Sequence, residues 1–157
     1  MAPESNLAAQ PGELELTITR IFDAPRSLVF KAWTAPEHLV QWWGPRGFTL
    51  PSCEIDPRPG GAYLFHMRGP EGDDHWSKGF FRELVEPERL VMAGAWVDAQ
   101  GKPKGPETLL TVTFEDHGGK TKLTLRQTGF ESVTSRESHR GGWTSSFECL
   151  ADYIANI

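Results

Sequence analysis

The sequence predicts an α+β fold in which a curved antiparallel sheet of six to seven strands surrounds one long C-terminal helix. The strands follow from short runs of β-forming residues, which turn residues interrupt about every ten positions. The helix follows from an amphipathic stripe at three- and four-residue spacing, formed by Trp143, Phe147, Leu150 and Ile154. One helix packed on one sheet buries the apolar faces of both elements.

Two short helices are expected after the first strand. Residues 13–22 alternate between apolar and polar side chains, which is typical of a half-buried strand. Pro25 then stands in the first turn of a helix that runs to residue 34, because proline is favoured at helix starts. Pro36 opens the second helix in the same way, and Gly44 ends it.

Turn residues divide the rest of the chain into further strands and the final helix. The predicted strands cover residues 48–55, 62–68, 76–85, 89–97, 108–114 and 120–127. The final helix is predicted over residues 138–157. It could instead begin at Gly142, because Gly141 and Gly142 are poor helix formers.

Length and composition predict one domain without a metal or a disulfide to hold it together. With 157 residues, the chain is long enough to bury a full core, and we expect a single domain over residues 13–157. Residues 1–12 are rich in Ala, Pro and polar side chains, so they are expected to form a disordered leader.

Charge and hydropathy exclude several partners and locations. The formal net charge of −5 argues against a nucleic-acid partner and against an anionic membrane surface. No apolar run approaches the roughly 18 residues that cross a bilayer, so no membrane insertion is expected. Cys53 and Cys149 are interpreted as two reduced thiols of a cytoplasmic protein rather than as a disulfide.

The sequence carries no motif for a metal or a cofactor, and neither is predicted. Five histidines and two cysteines fall at no metal-ligand spacing. Gly60-Gly61 and Gly118-Gly119 are interpreted as turn glycines rather than as a phosphate-binding loop. No nucleophile elbow is present, although the sequence leaves open a Ser-His-Asp triad that the fold brings together.

Aromatic residues on the predicted strands and on the final helix indicate a binding cavity. One helix does not fill the concave side of a wide curved sheet, so the rings that face this space are expected to line an apolar cavity. Gln127 is included as an orienting polar group. The predicted ligand-binding residues are Trp43, Phe65, Met67, Trp76, Phe81, Trp96, Phe114, Gln127, Trp143 and Phe147.

Three further polar residues are candidates for chemistry at that cavity. Glu83 shares a strand face with Phe81, and His75 stands at a hairpin end where it could reach the cavity rim. His139 lies one turn before Trp143 on the helix. Acid–base catalysis needs two such groups within reach of a substrate, and spacing alone does not show that, so no catalytic residue is assigned.

A set of short motifs runs in order from about residue 15 to the end of the chain. They are Phe22-Asp23-Ala24-Pro25 with Val29-Phe30, Trp33 and Pro36; Trp42-Trp43-Gly44-Pro45; Pro59-Gly60-Gly61; Gly79 with Pro87-Glu88-Arg89-Leu90; Thr111-Val112-Thr113-Phe114; Leu123-Thr124-Leu125; Thr128-Gly129-Phe130; and Gly142-Trp143 with Phe147 and Leu150. In these motifs the sequence resembles the START-like (SRPBCC) superfamily, and within it the AHSA-like branch, which is similar to the C-terminal domain of the heat-shock-protein ATPase activator.

This resemblance implies the helix-grip fold of START-like and Bet v-like proteins, with an apolar cavity between sheet and helix. Three functions remain open, because fold does not fix function. The first is binding of a small hydrophobic or aromatic molecule, by a monomer or a homodimer. The second is a cyclase or hydrolase that acts on a polyketide-like substrate. The third is a co-chaperone-like interaction domain.

Overall fold

The computed structural model describes residues 14–157, and the leader predicted over residues 1–12 lies outside this range. Within the described range, seven strands and three helices follow one another. They are β1 (Glu15–Phe22), α1 (Arg26–Thr34), α2 (Pro36–Trp42), β2 (Thr49–Ile55), β3 (Ala62–Arg68), β4 (Asp74–Val85), β5 (Arg89–Val97), β6 (Thr108–His117), β7 (Lys120–Thr128) and α3 (Val133–Ala155).

The seven strands form one antiparallel sheet in the order β1-β7-β6-β5-β4-β3-β2. Strands β2 to β7 follow one another as hairpins, and β1 joins β7 at the far edge. Helices α1 and α2 span the distance between β1 and β2, which are the two edge strands. The predicted α+β class, with two short helices after the first strand and a long helix at the end, is confirmed.

Two glycines pair across β4 and β5, where neighbouring groups come very close to the backbone. Gly79 and Gly94 are direct partners in the register of these strands. A Cβ on Gly79 would collide with the carbonyl oxygen of Ala93, and one on Gly94 would collide with the Tyr63 hydroxyl. Only glycine fits this close approach.

A second irregularity in β4 changes which side chains face the concave side. The register of β4 against β5 shifts between Phe81 and Glu83. Side chains alternate between the faces of a regular strand, so a bulge moves every later residue to the opposite face. Phe81 is therefore buried, whereas Glu83 lies outside.

Helix α3 begins five residues before the predicted start at residue 138. The Ser132 hydroxyl accepts a hydrogen bond from the backbone N–H of Ser135 at 3.0 Å, which caps the helix there. The helix then continues through both glycines. A Cβ on Gly141 would meet nothing within 4 Å, and one on Gly142 would lie 3.9 Å from Pro45 Cγ, so tight packing requires neither glycine.

Helix α3 covers the sheet unevenly. Its backbone approaches α2 and β1 most closely. Phe147, Leu150 and Ile154, in its C-terminal half, are buried in the core. Trp143, in the N-terminal half, is only partly buried. Within the described residues, no helix is long and apolar enough to span a bilayer.

A pocket between the sheet and the N-terminal half of α3

The concave side of the sheet encloses a pocket of about 450 Å³ under the N-terminal half of α3. Strands β3 to β7 form its floor, and residues between Ser135 and Ser146 form its roof. The Trp43–Pro45 turn closes one side, and the loop that carries Lys104 closes another. The pocket is open to solvent at one end.

Several aromatic rings and two methionines line the pocket. Trp43 and Phe48 come from the segment after α2, Trp96 comes from β5, and Trp143 comes from α3. Phe130, 3% exposed, closes the base of α3. The sulfur-bearing side chains are those of Met67 and Met92.

A closed aromatic cluster fills the other end of the space between sheet and helix. Its centre is Trp33, which is 1% exposed. The Trp33 ring stacks on Trp143 at 5.7 Å and meets Trp42, Phe114 and Phe147 edge-on at 5.1 to 6.4 Å. Within the described chain, the Trp33 indole N–H has no hydrogen-bond partner.

A relay of hydrogen bonds fixes Trp143 at the boundary between the cluster and the pocket. The Trp143 indole N–H donates to Gln127 Oε1 at 2.9 Å, and Gln127 Nε2 donates to Thr108 Oγ1 at 2.9 Å. Gln127 is 7% exposed, so these bonds satisfy a buried amide. The relay attaches α3 to β7 and β6.

His139 is held by both of its ring nitrogens. The Trp96 indole N–H donates to His139 Nε2 at 3.0 Å, and His139 Nδ1 lies 2.8 Å from the carbonyl oxygen of Ser135. An indole only donates and a carbonyl only accepts, so the neutral ring carries its proton on Nδ1. His139 therefore joins β5 to α3 across the pocket and has no free nitrogen for a substrate.

His75 is held by one ring nitrogen only. Its Nε2 lies 2.6 Å from Asp73 Oδ2, and its Nδ1 makes no hydrogen bond to any described residue. The hydrogen bond from His75 lowers the pKa of Asp73 below its ordinary value, so this carboxylate stays ionised. The His75 ring lies between Phe48 and Trp96, at 5.8 and 6.3 Å, and lines the pocket.

Tyr63 adds a phenol group to the pocket floor. Its side chain is buried, and within residues 14–157 its hydroxyl makes no hydrogen bond. Burial raises the pKa of Tyr63, and the nearby Glu107 carboxylate raises it further, so the hydroxyl stays protonated. It is a hydrogen-bond donor available at the pocket wall.

The structure separates the residues that sequence analysis selected into three groups. Those that line the pocket are Trp43, Met67, Trp96, Gln127, Trp143, His75 and His139. Four others are each 1% exposed and belong to the packed core: Phe65, Phe81, Phe114 and Phe147. The remaining two, Trp76 and Glu83, lie outside the pocket.

The placement of Trp76 and Glu83 corrects the sequence interpretation. Trp76 stacks on His66 at 4.8 Å on the outer face of the sheet. The odd-numbered residues of β4 up to Phe81 face the concave side, so the even-numbered Trp76 faces outward. Glu83 lies after the bulge and pairs with Arg89 at 3.3 Å on the exposed side. Trp76 was predicted at the cavity because of its hydrophobicity. Glu83 was predicted there because regular alternation along β4 would place it on the same face as Phe81.

Three further residues that line the pocket were not predicted from the sequence. Tyr63 lies on the same strand face as Phe65 and Met67, so alternation along β3 could have selected it. Met92 follows the same rule on β5. Phe130 stands in the turn before α3, and no periodic pattern marks it. Across the described range, no three or more His, Cys, Asp or Glu side chains are grouped to hold a metal ion.

The fold and the pocket together define the class. A curved antiparallel sheet that holds a long C-terminal helix, with two short helices after the first strand, is the helix-grip architecture of START-like domains. The sequence profile of the family described as Activator of Hsp90 ATPase homolog 1-like protein matches residues 23–155, and the chain belongs to this family. The family predicted from the sequence motifs is thus confirmed. No curated protein matches the chain.

Solved structures of bacterial proteins share this architecture over most of their length. The AHSA1 protein of Silicibacter pomeroyi is 25% identical, with a TM-score of 0.82, and the match covers 90% of this chain and 97% of that one. A protein of Nitrosomonas europaea is 26% identical, with a TM-score of 0.78 and coverage of 92% and 96%. A protein of Chromobacterium violaceum is 27% identical, also with a TM-score of 0.78, and coverage is 88% and 95%.

Proposed function

We propose that the protein binds a small, largely apolar molecule with an aromatic ring system in the pocket under α3. The observation that carries this proposal is the pocket of about 450 Å³ with its wall of aromatic side chains and methionines. Ligand sites in proteins range from about 300 to 1,000 Å³, are mostly apolar and contain a few polar groups that orient the ligand. The size and lining of this pocket support the proposal.

The arrangement of the rings favours a flat ligand. Trp43 and Trp143 meet edge-on, with centroids 5.5 Å apart and an interplanar angle of 88°. Two walls at this angle offer an incoming ring both a face and an edge, which are the geometries that aromatic pairs prefer. The free hydroxyl of Tyr63 and the free nitrogen of His75 would orient the ligand's polar end.

A titration with 1-methoxynaphthalene, an uncharged aromatic probe, tests the proposal. We expect saturable binding by isothermal titration calorimetry and a change in tryptophan emission, because Trp43, Trp96 and Trp143 line the pocket. The variant Met92→Trp is expected to abolish binding by filling the space. Val85→Trp, on the exposed end of β4, is the matched control and is expected to bind normally. Failure of the wild-type protein to bind any of a series of aromatic probes would contradict the proposal.

An enzymatic role is the second candidate, and His75 favours it. Of the three polar residues selected from the sequence, His75 alone both lines the pocket and keeps a ring nitrogen without a described partner. A general base of a cyclase or hydrolase needs such a nitrogen. Loss of any discovered turnover in His75→Phe, and its retention in His139→Phe, would support this role.

A co-chaperone role is the third candidate, and the description of the family supports it. Co-precipitation of the purified protein with Hsp90 tests it. We expect no more Hsp90 to be recovered than with beads that carry no protein, because the proposed function resides in an internal pocket. Stoichiometric recovery of Hsp90 would replace ligand binding with chaperone docking as the leading proposal.

We propose further that residues 13–157 act as one domain in the cytoplasm, as a monomer or a homodimer, with both thiols reduced. Cys53 and Cys149 are free in the structure. Burial raises the pKa of the Cys53 thiol to about 11, so little thiolate is available for oxidation at neutral pH. Cell fractionation and sedimentation analysis test the location and the oligomeric state. Recovery in an extracytoplasmic fraction, or as a higher oligomer, would contradict this proposal.

A further inference from the structure

The β3–β4 hairpin carries two aspartate–histidine pairs that face opposite sides of the sheet. On the outer face, His66 Nε2 lies 2.7 Å from Asp74 Oδ1, and the His66 ring stacks on Trp76. At the pocket, His75 Nε2 lies 2.6 Å from Asp73 Oδ2. The two pairs have the same chemistry, and only the second meets the pocket.

The Asp73 carboxylate determines which nitrogen of His75 is free. A carboxylate only accepts hydrogen bonds, so the Nε2 that it contacts carries a proton. In the neutral ring, Nδ1 then has its lone pair available as an acceptor. Asp73 also compensates positive charge on the ring, as the orienting carboxylate does in catalytic histidine pairs.

Four other ionisable side chains line the pocket, from α3, β3 and two loops. Both nitrogens of His139, on α3, are engaged. The Tyr63 hydroxyl, on β3, stays protonated and donates. Lys104 and Glu131 reach the wall from the loops before β6 and after β7. His75 is therefore the imidazole placed to accept a proton there.

We propose that His75 accepts a proton from an acidic hydroxyl group of the ligand, so that the pocket selects phenols and enols over aromatic molecules without such a group. This inference rests on the ligand binding proposed above. The O–H bond of the ligand breaks, its electron pair stays on the oxygen, and the proton forms a bond with His75 Nδ1. The product is an imidazolium–phenolate or imidazolium–enolate ion pair beside Asp73, and no other reactant is needed.

A probe that changes colour on ionisation tests this inference. 4-Nitro-1-naphthol absorbs at longer wavelength as its naphtholate, whereas its methyl ether cannot ionise. The pKa of the bound naphthol is measured by absorbance in wild type, His75→Phe and His66→Phe. We expect His75→Phe to raise the pKa of the bound probe by about one pH unit or more, a tenfold change in its ionisation constant. The outer-face control His66→Phe is expected to match wild type.

The methyl ether separates the two proposals. If naphthol and ether both bind to wild type and the naphthol ionises alike in wild type and His75→Phe, the inference is wrong and ligand binding stands. If neither probe binds to wild type, the inference is wrong, and the proposed function is contradicted as well when 1-methoxynaphthalene and the other aromatic probes also fail to bind. His75→Gln provides a second variant should the phenylalanine variant fold poorly, because its amide N–H can still reach Asp73 whereas the Nδ1 acceptor is lost. An unchanged pKa in that variant would likewise overturn the inference.

Discussion

Aromatic side chains lie at both ends of the space between sheet and helix, but they are tightly packed at one end and border a pocket at the other. At the closed end, Trp33 is surrounded by other rings, and Phe114 and Phe147 are each 1% exposed. At the open end, Trp96 and His75 are partly exposed and border a pocket. The closed end has α1 and α2 beside it, whereas the open end has only the glycine-containing N-terminal half of α3 as its roof. The number of elements around the rings, rather than the rings themselves, determines whether the space is filled.

The largest test of this comparison is a truncation at the closed end. We expect Phe147→Ala to lower the free energy of unfolding by about 3–5 kcal/mol, because the packed rings around it cannot move in to fill the cavity that it leaves. Trp96→Ala, at the open end, should lower it by less than half as much, since solvent already reaches that ring. Urea denaturation of both variants measures the difference. Equal losses would show that the open end contributes as much to the free energy of unfolding as the closed end does.

The Gly79–Gly94 pair provides the next test. Gly79→Ala is expected to destabilise the protein by about 1–3 kcal/mol, because its Cβ would meet the backbone of Ala93. Gly141→Ala should act in the opposite direction, by up to about 1 kcal/mol, since that helix position is open. Thermal unfolding of the two variants checks the signs. A neutral Gly79→Ala variant would indicate that the sheet relaxes at this point.

The roof of the pocket can be altered with little change in the fold. Gly142→Leu should weaken binding of 1-methoxynaphthalene about tenfold or more, because the new side chain takes up pocket space beside Pro45. Gly141→Leu is the control on the neighbouring, open position and should bind as wild type does. Calorimetry measures both affinities. Equal affinities would place the binding site elsewhere.

The smallest expected effect is a loss of local stability at the β3–β4 hairpin tip at acid pH. The pKa of Asp73 is lowered by its hydrogen bond with His75, so the stabilisation from this pair is present above the ordinary value of 3.8 and is lost as pH falls through the lower folded value. After correction for the intrinsic exchange rate, the protection of amides at the hairpin tip should therefore fall below pH 3.8, while the closed end stays protected. Asp73→Asn should remove this pH dependence. A dependence that persists in the variant would point to Asp74, whose pKa is also lowered, by His66 and Arg68.

Local patterns predicted most of the fold. Alternation and turn residues located the strands, and Pro36 marked the start of α2 correctly. The start of α3 was missed because the cap at Ser132 precedes a polar stretch without an apolar stripe. The pair of glycines at residues 141 and 142 also favoured a later start than the tertiary structure gives.

The site was less predictable, because its members depend on contacts between distant elements. Phe65 and Trp43 are both large aromatic residues in the sequence, yet the first is buried in the core and the second borders the pocket. The bulge after Phe81 has no sequence signature, and it moved Glu83 outward. The partner of His139 is an indole 43 residues away, so the engagement of both ring nitrogens appears only in three dimensions.

The orientation of the Gln127 amide is fixed by its two hydrogen bonds. An indole only donates, so Oε1 must turn to Trp143 and the amide nitrogen to Thr108. One wall is thereby preorganised before any guest arrives, and little motional freedom remains to be lost on complex formation. For the ligand binding proposed above, we therefore expect discrimination among ligands to depend on their shape more than on rearrangement of the protein.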